Sequence, residues 1–430
     1  MELDNTLFKG DKYIWGIYFI LLFISVVEIF SATSTLAYRA TEHYNPAFQH
    51  TTYLILGTLA VLIIHNMPSH YFRAIGTLAF PVSVVLLLLV MFTPEVNGAQ
   101  RRIFGFQPSE IAKFAEIVVV CNFLAKGQAS GGISKKSFYM VIGSAGIICG
   151  LILPENFSTA FLLGAVIFFL MFIAGVQWKR LGAILGTIAV IGALFLSVLI
   201  FVPQNVLPGR MKTWKSRIEQ SKNTVPLVEQ KLDNKNMQVQ YGRMAVANGG
   251  IIGKFPGNSQ IRDFLPQAYS DYIYSIIIEE MGILGGIFVL FLYFLLLFRA
   301  VIIFRQCKNT FPALLLLGLT MLIVFQALIN MAVGVDLIPV TGQPLPLISR
   351  GGTSTLLTCG YFGILLSISR SALIDEMDYN DDHRLGEDTP EEDILEDQHL
   401  IPETTGSVTG ETVNVPDEKE EYSYTDIERY

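Results

Sequence analysis

Residues 272–298 read YIYSIIIEEMGILGGIFVLFLYFLLLF, and Glu279 and Glu280 are the only charged side chains in the run. A helix needs about 20 mostly apolar residues to cross a bilayer core, so this stretch is long enough to span one. The rest of the chain agrees. Its 430 residues are 52% hydrophobic and 16% charged, with a mean hydropathy of +0.48, whereas soluble domains are about 25% charged.

Working outward from 272–298, nine further runs of similar character are separated by charged or Pro/Gly-rich breaks. The full set is 13–33, 51–66, 74–93, 109–125, 138–153, 158–176, 181–203, 272–298, 311–334 and 352–369. The fourth carries Glu110, Lys113 and Glu116, and the fifth is short and glycine-rich. The pattern predicts an all-α polytopic membrane protein of about ten spans. Residues 1–12 form a short N-terminus, 13–370 the membrane domain and 371–430 a tail. The first run follows Lys9 and Lys12, but it exceeds the usual h-region of about 7–15 residues, so it reads as a retained signal-anchor.

The net charge of -7 conceals a division at Arg370. Residues 371–430 hold 20 Asp and Glu against 3 Lys and Arg, which leaves 17 acidic and 27 basic residues in the first 370. A basic, apolar body therefore carries an acidic tail, which is rich in Thr, Pro and Glu and predicts disorder. This division argues against a soluble enzyme domain or a nucleic-acid binder built on one basic face. The four cysteines lack C-x-x-C spacing, so neither a disulfide scaffold nor a zinc site is indicated.

Basic residues in short loops set the orientation. A cytoplasmic N-terminus puts Lys9, Lys12, Arg73, Lys126, Lys135, Lys136, Lys179, Arg180, Arg299, Arg305, Lys308 and Arg370 inside. Only Arg39, Arg101, Arg102 and Arg350 then fall in short outer loops. Both termini are cytoplasmic on this reading, and the one long connection, 204–271, faces outward.

Four outward segments concentrate polar residues. In NGAQRRIFGFQPSEIAK (97–113), Pro108 and Ser109 mark a helix start, and Glu110 and Lys113 share a face three residues apart. LPENFSTA (153–160) is a tight turn. In the long loop, LPGRMKTWKSRIEQSK (207–222) suits an interfacial helix on anionic lipid. YGRMAVANGGIIGKFPGNSQIRDFLPQAYSDYIY (241–274) then sets glycines among Arg243, Lys254 and Arg262 and brings Asp271 to the mouth of the next span. Glycines admit a close backbone approach to an anion, and the cations supply counter-charge. GVDLIPVTGQPLPLISRGGTSTL (334–356) cannot form a regular helix, which predicts a re-entrant or cavity-lining loop before the last span.

These segments, through GAQRRIFGFQPSEIAKF, AVANGGIIGKFPGNSQIRDFLPQAYSDYIYSIIIEEMGILGG and PVTGQPLPLISRGGTS, resemble the RodA/FtsW polymerases, the family of shape, elongation, division and sporulation membrane proteins. The resemblance covers about residues 13–370 and includes the ten-span architecture with its large outer loop. It implies a peptidoglycan glycosyltransferase that polymerises lipid II on the outer face of the plasma membrane, with a class B penicillin-binding transpeptidase of one span as partner. The essential acid of the family falls on Asp271, and the Glu and Lys of its PSExxK motif fall on Glu110 and Lys113. Arg102 stands where an aromatic is common, LPENFST replaces a Q-P-D-x-G-T turn with Glu155 or Asn156 at the acid's place, and Arg350 stands where Tyr is common. The last motif and the acidic tail lean toward the division member.

The donor sugar of lipid II is α-linked and the polymer β-linked, so one displacement with inversion suffices and no covalent nucleophile is required. Such a reaction needs a base for the acceptor 4-hydroxyl and positive charge for the departing pyrophosphate. Asp271 is the expected base. Arg101, Lys113, Arg243 and Lys254 are the expected cations, with Glu110 and Ser349 beside them in the substrate site. A divalent ion, Mg or Mn, is an option for bridging the phosphates, although no ligand cluster marks a place for it. The competing expectation is a lipid II flippase, for which Glu28, Glu279 and Glu280 are the best argument. The two separate if Asp271→Asn abolishes polymerisation while Glu279→Gln keeps it, and if Glu280→Gln is scored for flipping alone.

Overall fold

The computed structural model describes residues 8–39, 46–92, 107–129, 132–202, 215, 237–265 and 269–387. The chain divides into Met1–Tyr379 and Asn380–Tyr430; of the second unit only the last turns of one helix are described.

Each of the ten expected spans is a helix. They are α1 (Lys12–Arg39), α2 (Pro46–Ile64), α3 (Ser69–Val90), α4 (Pro108–Lys126), α5 (Lys135–Ile152), α6 (Phe157–Ile173), α7 (Trp178–Phe201), α9 (Ile273–Gln306), α10 (Thr310–Gly334) and α11 (Thr353–Glu387). One short helix, α8 (Met237–Gly249), precedes α9, and a small antiparallel hairpin of β1 (Gln128–Ala129) and β2 (Gly132–Ile133) follows α4. Eight of the ten are long and apolar enough to cross a membrane. The other two are α6, which is apolar but shorter, and α4, which carries the charges noted above. The protein is thus a polytopic all-α membrane protein.

Burial orders these helices about a centre. The apolar window of α10 is 83% buried and that of α7 only 6%. A helix apolar on every side and packed on every side is the hub, whereas an equally apolar helix with little cover presents its surface to lipid.

Two sets of contacts define the ends of the bundle. At one end the carboxylate of Asp11 accepts from the amides of Tyr13 and Ile14, which caps α1, and pairs with Arg299 at 2.6 Å. There too the Asp11 amide donates to Ser369, and Arg370 donates to the Asn66 carbonyl. At the other end Arg350 donates to Gln49 and Ser349 to the carbonyl of Ser270. The loops assigned to one side by their basic residues meet one another, as do those assigned to the opposite side.

The structure departs from expectation in three places. The run that opened the sequence reading is not one continuous helix, because Gly282 sits at φ 73°, ψ 179° and breaks α9. The break is closed from outside by residues 250–255. Lys254 and Phe255 donate their amides to the carbonyls of Glu279 and Glu280, and Ile283 and Leu284 donate to those of Gly250 and Ile251. Second, the glycines of this segment serve that junction, where an anion cradle was expected. A Cβ on Gly249 would lie 2.0 Å from the Ile278 carbonyl oxygen and one on Gly253 2.3 Å from that of Glu280. Third, the helical run of α11 continues to Glu387, past the expected tail boundary at 370. Its segment SALIDEMDYNDDHRLGE holds helix-forming Ala, Leu, Glu, Met and Arg, and Gly386 stands at its end. The disorder expected for the remainder, 388–430, and the interfacial helix expected at 207–222 fall outside the described residues, apart from Lys215, which donates to the Val202 carbonyl at 2.7 Å.

Candidate active site

The Pro/Gly-rich segment 335–352 is irregular, as expected, and its second half is packed inside protein, with Gln343, Leu345, Leu347, Ile348 and Ser349 all buried, whereas Leu337 in its first half is 78% exposed. It links the polar segments to one another, and α10 holds it from below. Gln326 donates to the Pro344 carbonyl at 3.0 Å, and one turn later Asn330 donates to the Gln343 carbonyl at 2.8 Å and the Asp271 carbonyl at 3.3 Å. Gln343 reaches across to the Thr159 hydroxyl of α6.

Asp271 lies at the centre of this arrangement, half-buried two residues before the start of α9. Its backbone is fixed by Asn330, and its carboxylate accepts from the neighbouring Ser270 hydroxyl at 3.1 Å. The Ser349 hydroxyl accepts the Leu345 amide at 2.7 Å and donates to the Ser270 carbonyl at 2.8 Å. A 2%-exposed hydroxyl used in this way holds two backbones together. Ser349, expected at the substrate site, commits its one proton to the Ser270 carbonyl and one of its two acceptor positions to the Leu345 amide.

Glu110 and Lys113 are also within the network and not on its surface. Their ion pair is 2.9 Å long with Lys113 fully buried, and the ammonium donates to Gln326 at 3.1 Å. The pair, expected to bind substrate, is joined through Gln326 to the Pro344 carbonyl of the 335–352 segment.

The expected cations divide. Arg243 pairs with Asp336, just past α10, and the charges of Asp336, Asp271 and Arg243 all bear on the Tyr272 phenol. These groups share one neighbourhood with the candidate base. Lys254 sits instead at the break in α9, bonded to Gln260 at 3.1 Å and 3.8 Å from Glu279. Arg101 lies outside the described residues. Arg350 takes a structural part, with its guanidinium over the Tyr269 ring at 5.3 Å and its amide donating to the Tyr269 carbonyl.

In the turn at 153–160, Asn156 caps α6 by accepting the Thr159 amide, and both Glu155 and Asn156 line a cavity. That cavity, about 20 Å³, lies between Glu155 and Gln107, Pro108 and Ser109, which brings the first and second polar segments together.

Glu279 was expected to be replaceable by Gln without loss of polymerisation. Its carboxylate is fully buried and accepts from Ser259, Asn248 and the amides of Gln260 and Ile261, so it anchors the loop across the broken helix. Glu280 is held by Ser31 and lies 3.8 Å from Arg262. Among the described residues no group of three His, Cys, Asp or Glu could hold a metal ion.

Sequence reasoning missed Gln326 and Asn330. Two amides spaced four apart in an otherwise apolar span lie on one helix face, and that spacing was the available signal. A model of the FtsW/RodA/SpoVE family of cell cycle proteins matches residues 11–373. The chain belongs to this family. Among its relatives, a probable peptidoglycan glycosyltransferase FtsW of Geobacter metallireducens is 31% identical over 363 residues, covering 80% of this chain and 90% of the relative. A protein of the same name from Saccharophagus degradans is 29% identical over 369 residues, with 81% and 90% covered. The fold is shared with a chain of a peptidoglycan synthase complex that coordinates polymerization and crosslinking, at a TM-score of 0.67 and 22% identity over 84% of this chain and 98% of that one. It is shared too with the rod shape determining protein RodA of Thermus thermophilus, at 0.58 and 21% over 84% and 97%.

Proposed function

We propose that this chain is a peptidoglycan glycosyltransferase of the division type. It polymerises lipid II at the outer face of the plasma membrane during septal wall synthesis, spans the membrane ten times and keeps both termini in the cytoplasm. The observation that carries the reading is the hydrogen-bond network of the 335–352 segment, which joins α6, the two amides of α10 and the Ser270–Asp271 backbone, with the buried Glu110–Lys113 pair attached to it through Gln326. The names of the curated relatives support the reaction.

The chemistry follows from the groups present. Asp271 takes the proton of the acceptor 4-hydroxyl as that oxygen attacks the anomeric carbon of the donor; the C1–O bond to pyrophosphate breaks and the configuration inverts. Ser349, Asn330 and the Glu110–Lys113 pair fix where Asp271 stands, which is the larger part of what a positioned base requires. Arg243, held by Asp336 at the same end, and Arg101 are the cations for the departing pyrophosphate. Lys254 extends the positive surface of the loop. A Mg or Mn ion entering with the pyrophosphate would add positive charge for its departure.

A class B penicillin-binding transpeptidase is the proposed partner, together with other division proteins and the surrounding lipid. The flippase reading loses Glu279 and Glu280, which bind the loop, and retains Glu28, a buried carboxyl whose oxygens have no hydrogen-bond partner. The test is polymer formation from lipid II by the purified protein with its transpeptidase. Asp271→Asn abolishes it and Lys308→Gln, on an exposed loop, leaves it intact; full activity in the first ends the proposal.

A further inference from the structure

The opposite end of the bundle carries a second site. α10 runs 25 residues from Thr310 to Gly334, about 37 Å, and its far end supports Asp271. At its near end a cavity of about 370 Å³ opens between the first turn of α3, the last turn of α4 and the first turn of α10. That volume is within the range of about 300–1,000 Å³ typical of ligand sites. Its lining includes His70, Arg73, Lys126, Asn309, Thr310 and Phe311, and contains no carboxylate.

Neither Arg73 nor Lys126 has an acidic partner among the described residues. The guanidinium of Arg73 lies 4.3 Å over the Phe311 ring, which holds the charge at the cavity wall without neutralising it. The helix ends add to the same field. Pro68 and Asn309, the N-cap residues of α3 and α10, make no side-chain capping bond, so two helix N-termini meet the cavity without a side-chain cap. Two unpaired cations, a histidine and two positive helix ends call for an anion, and a phosphate group satisfies all of them.

The neighbouring surface favours a lipid phosphate over a free one. α3 leaves the cavity as an apolar helix whose membrane-spanning window is only 22% buried, so bare apolar helix surface begins at the cavity's edge. A headgroup in the cavity would set its acyl chains beside that surface, as basic pockets between spanning helices do with anionic lipids.

We infer that the cavity between α3, α4 and α10 binds the phosphate headgroup of an anionic phospholipid, with Arg73 and Lys126 as its charged contacts. The site is separate from Asp271 and independent of the proposed reaction. The full-length protein in detergent, titrated with phosphatidylglycerol or phosphatidylcholine and followed by native mass spectrometry, tests it. The wild type should prefer phosphatidylglycerol by about tenfold or more, and the preference should shrink as ionic strength rises. Arg73→Gln with Lys126→Gln should abolish the preference, whereas Arg73→Lys with Lys126→Arg, and Lys179→Gln outside the cavity, should keep it. A glutamine double variant that retains the preference, or equal binding of the two lipids by the wild type, overturns the inference. Displacement of the lipid by equimolar inorganic phosphate reassigns the cavity to a soluble anion and overturns it as well.

Discussion

Replacing Lys113 by Met removes one member of an ion pair that is closed off from water. At 2.9 Å and an effective dielectric constant of about 20, the Coulomb attraction lost is about 6 kcal/mol. Part of this is offset, because the wild type pays to desolvate the ammonium and the variant does not. Removal of one partner from a buried pair costs about 3–5 kcal/mol, since the other charge is left uncompensated. Lys113→Met should therefore destabilise the membrane domain by about 3–5 kcal/mol in reversible unfolding from mixed micelles. The double variant Glu110→Gln with Lys113→Met buries no bare charge and should recover most of that loss. Because the pair is joined through Gln326 to the Pro344 carbonyl, next to the Gln343 carbonyl that shares Asn330 with Asp271, polymerisation of lipid II should recover in parallel. A single variant within about 1 kcal/mol of wild type, or a double variant no better than the single, would refute the reasoning.

Other substitutions probe the same frame. Gly253→Ala places a Cβ at φ 88° and 2.3 Å from the Glu280 carbonyl oxygen; the left-handed conformation alone costs about 1–2 kcal/mol, and thermal unfolding should show a clear drop. Glu279→Gln should lower the melting temperature and polymer yield together, because one of the two oxygens that gather the loop becomes a donor; an unchanged melting temperature would show that the loop is held elsewhere. Asn330→Leu leaves the Gln343 and Asp271 carbonyls without this donor, at about 1–3 kcal/mol, and should reduce kcat more than it changes the lipid II concentration at half-maximal rate. Ser25 bonds both His50 and the carbonyl of Leu347, a residue at φ 65°; Ser25→Ala should weaken this support of the Pro/Gly segment and lower activity without affecting binding at the distant cavity.

The amino-acid sequence by itself determined the fold class and the positions of the long apolar helices, because a bilayer demands about 20 apolar residues per crossing and that demand is met within a single segment. It also marked Asp271, Glu110 and Lys113, since ionisable groups at the edge of apolar runs are costly enough to be noticed. Their joining was decided only by tertiary structure. Gln326 and Asn330 reveal their partners once α10 is known to lie beneath residues 335–352, and these contacts connect residues far apart in the chain. The interruption of α9 was hidden for the same reason. Within 272–298, Gly282 is one glycine among three, and residues 250–255, packed against it, supply the hydrogen bonds that allow a broken helix inside a membrane protein. Local composition records what each segment must bury; which groups share the burial is settled when the helices pack.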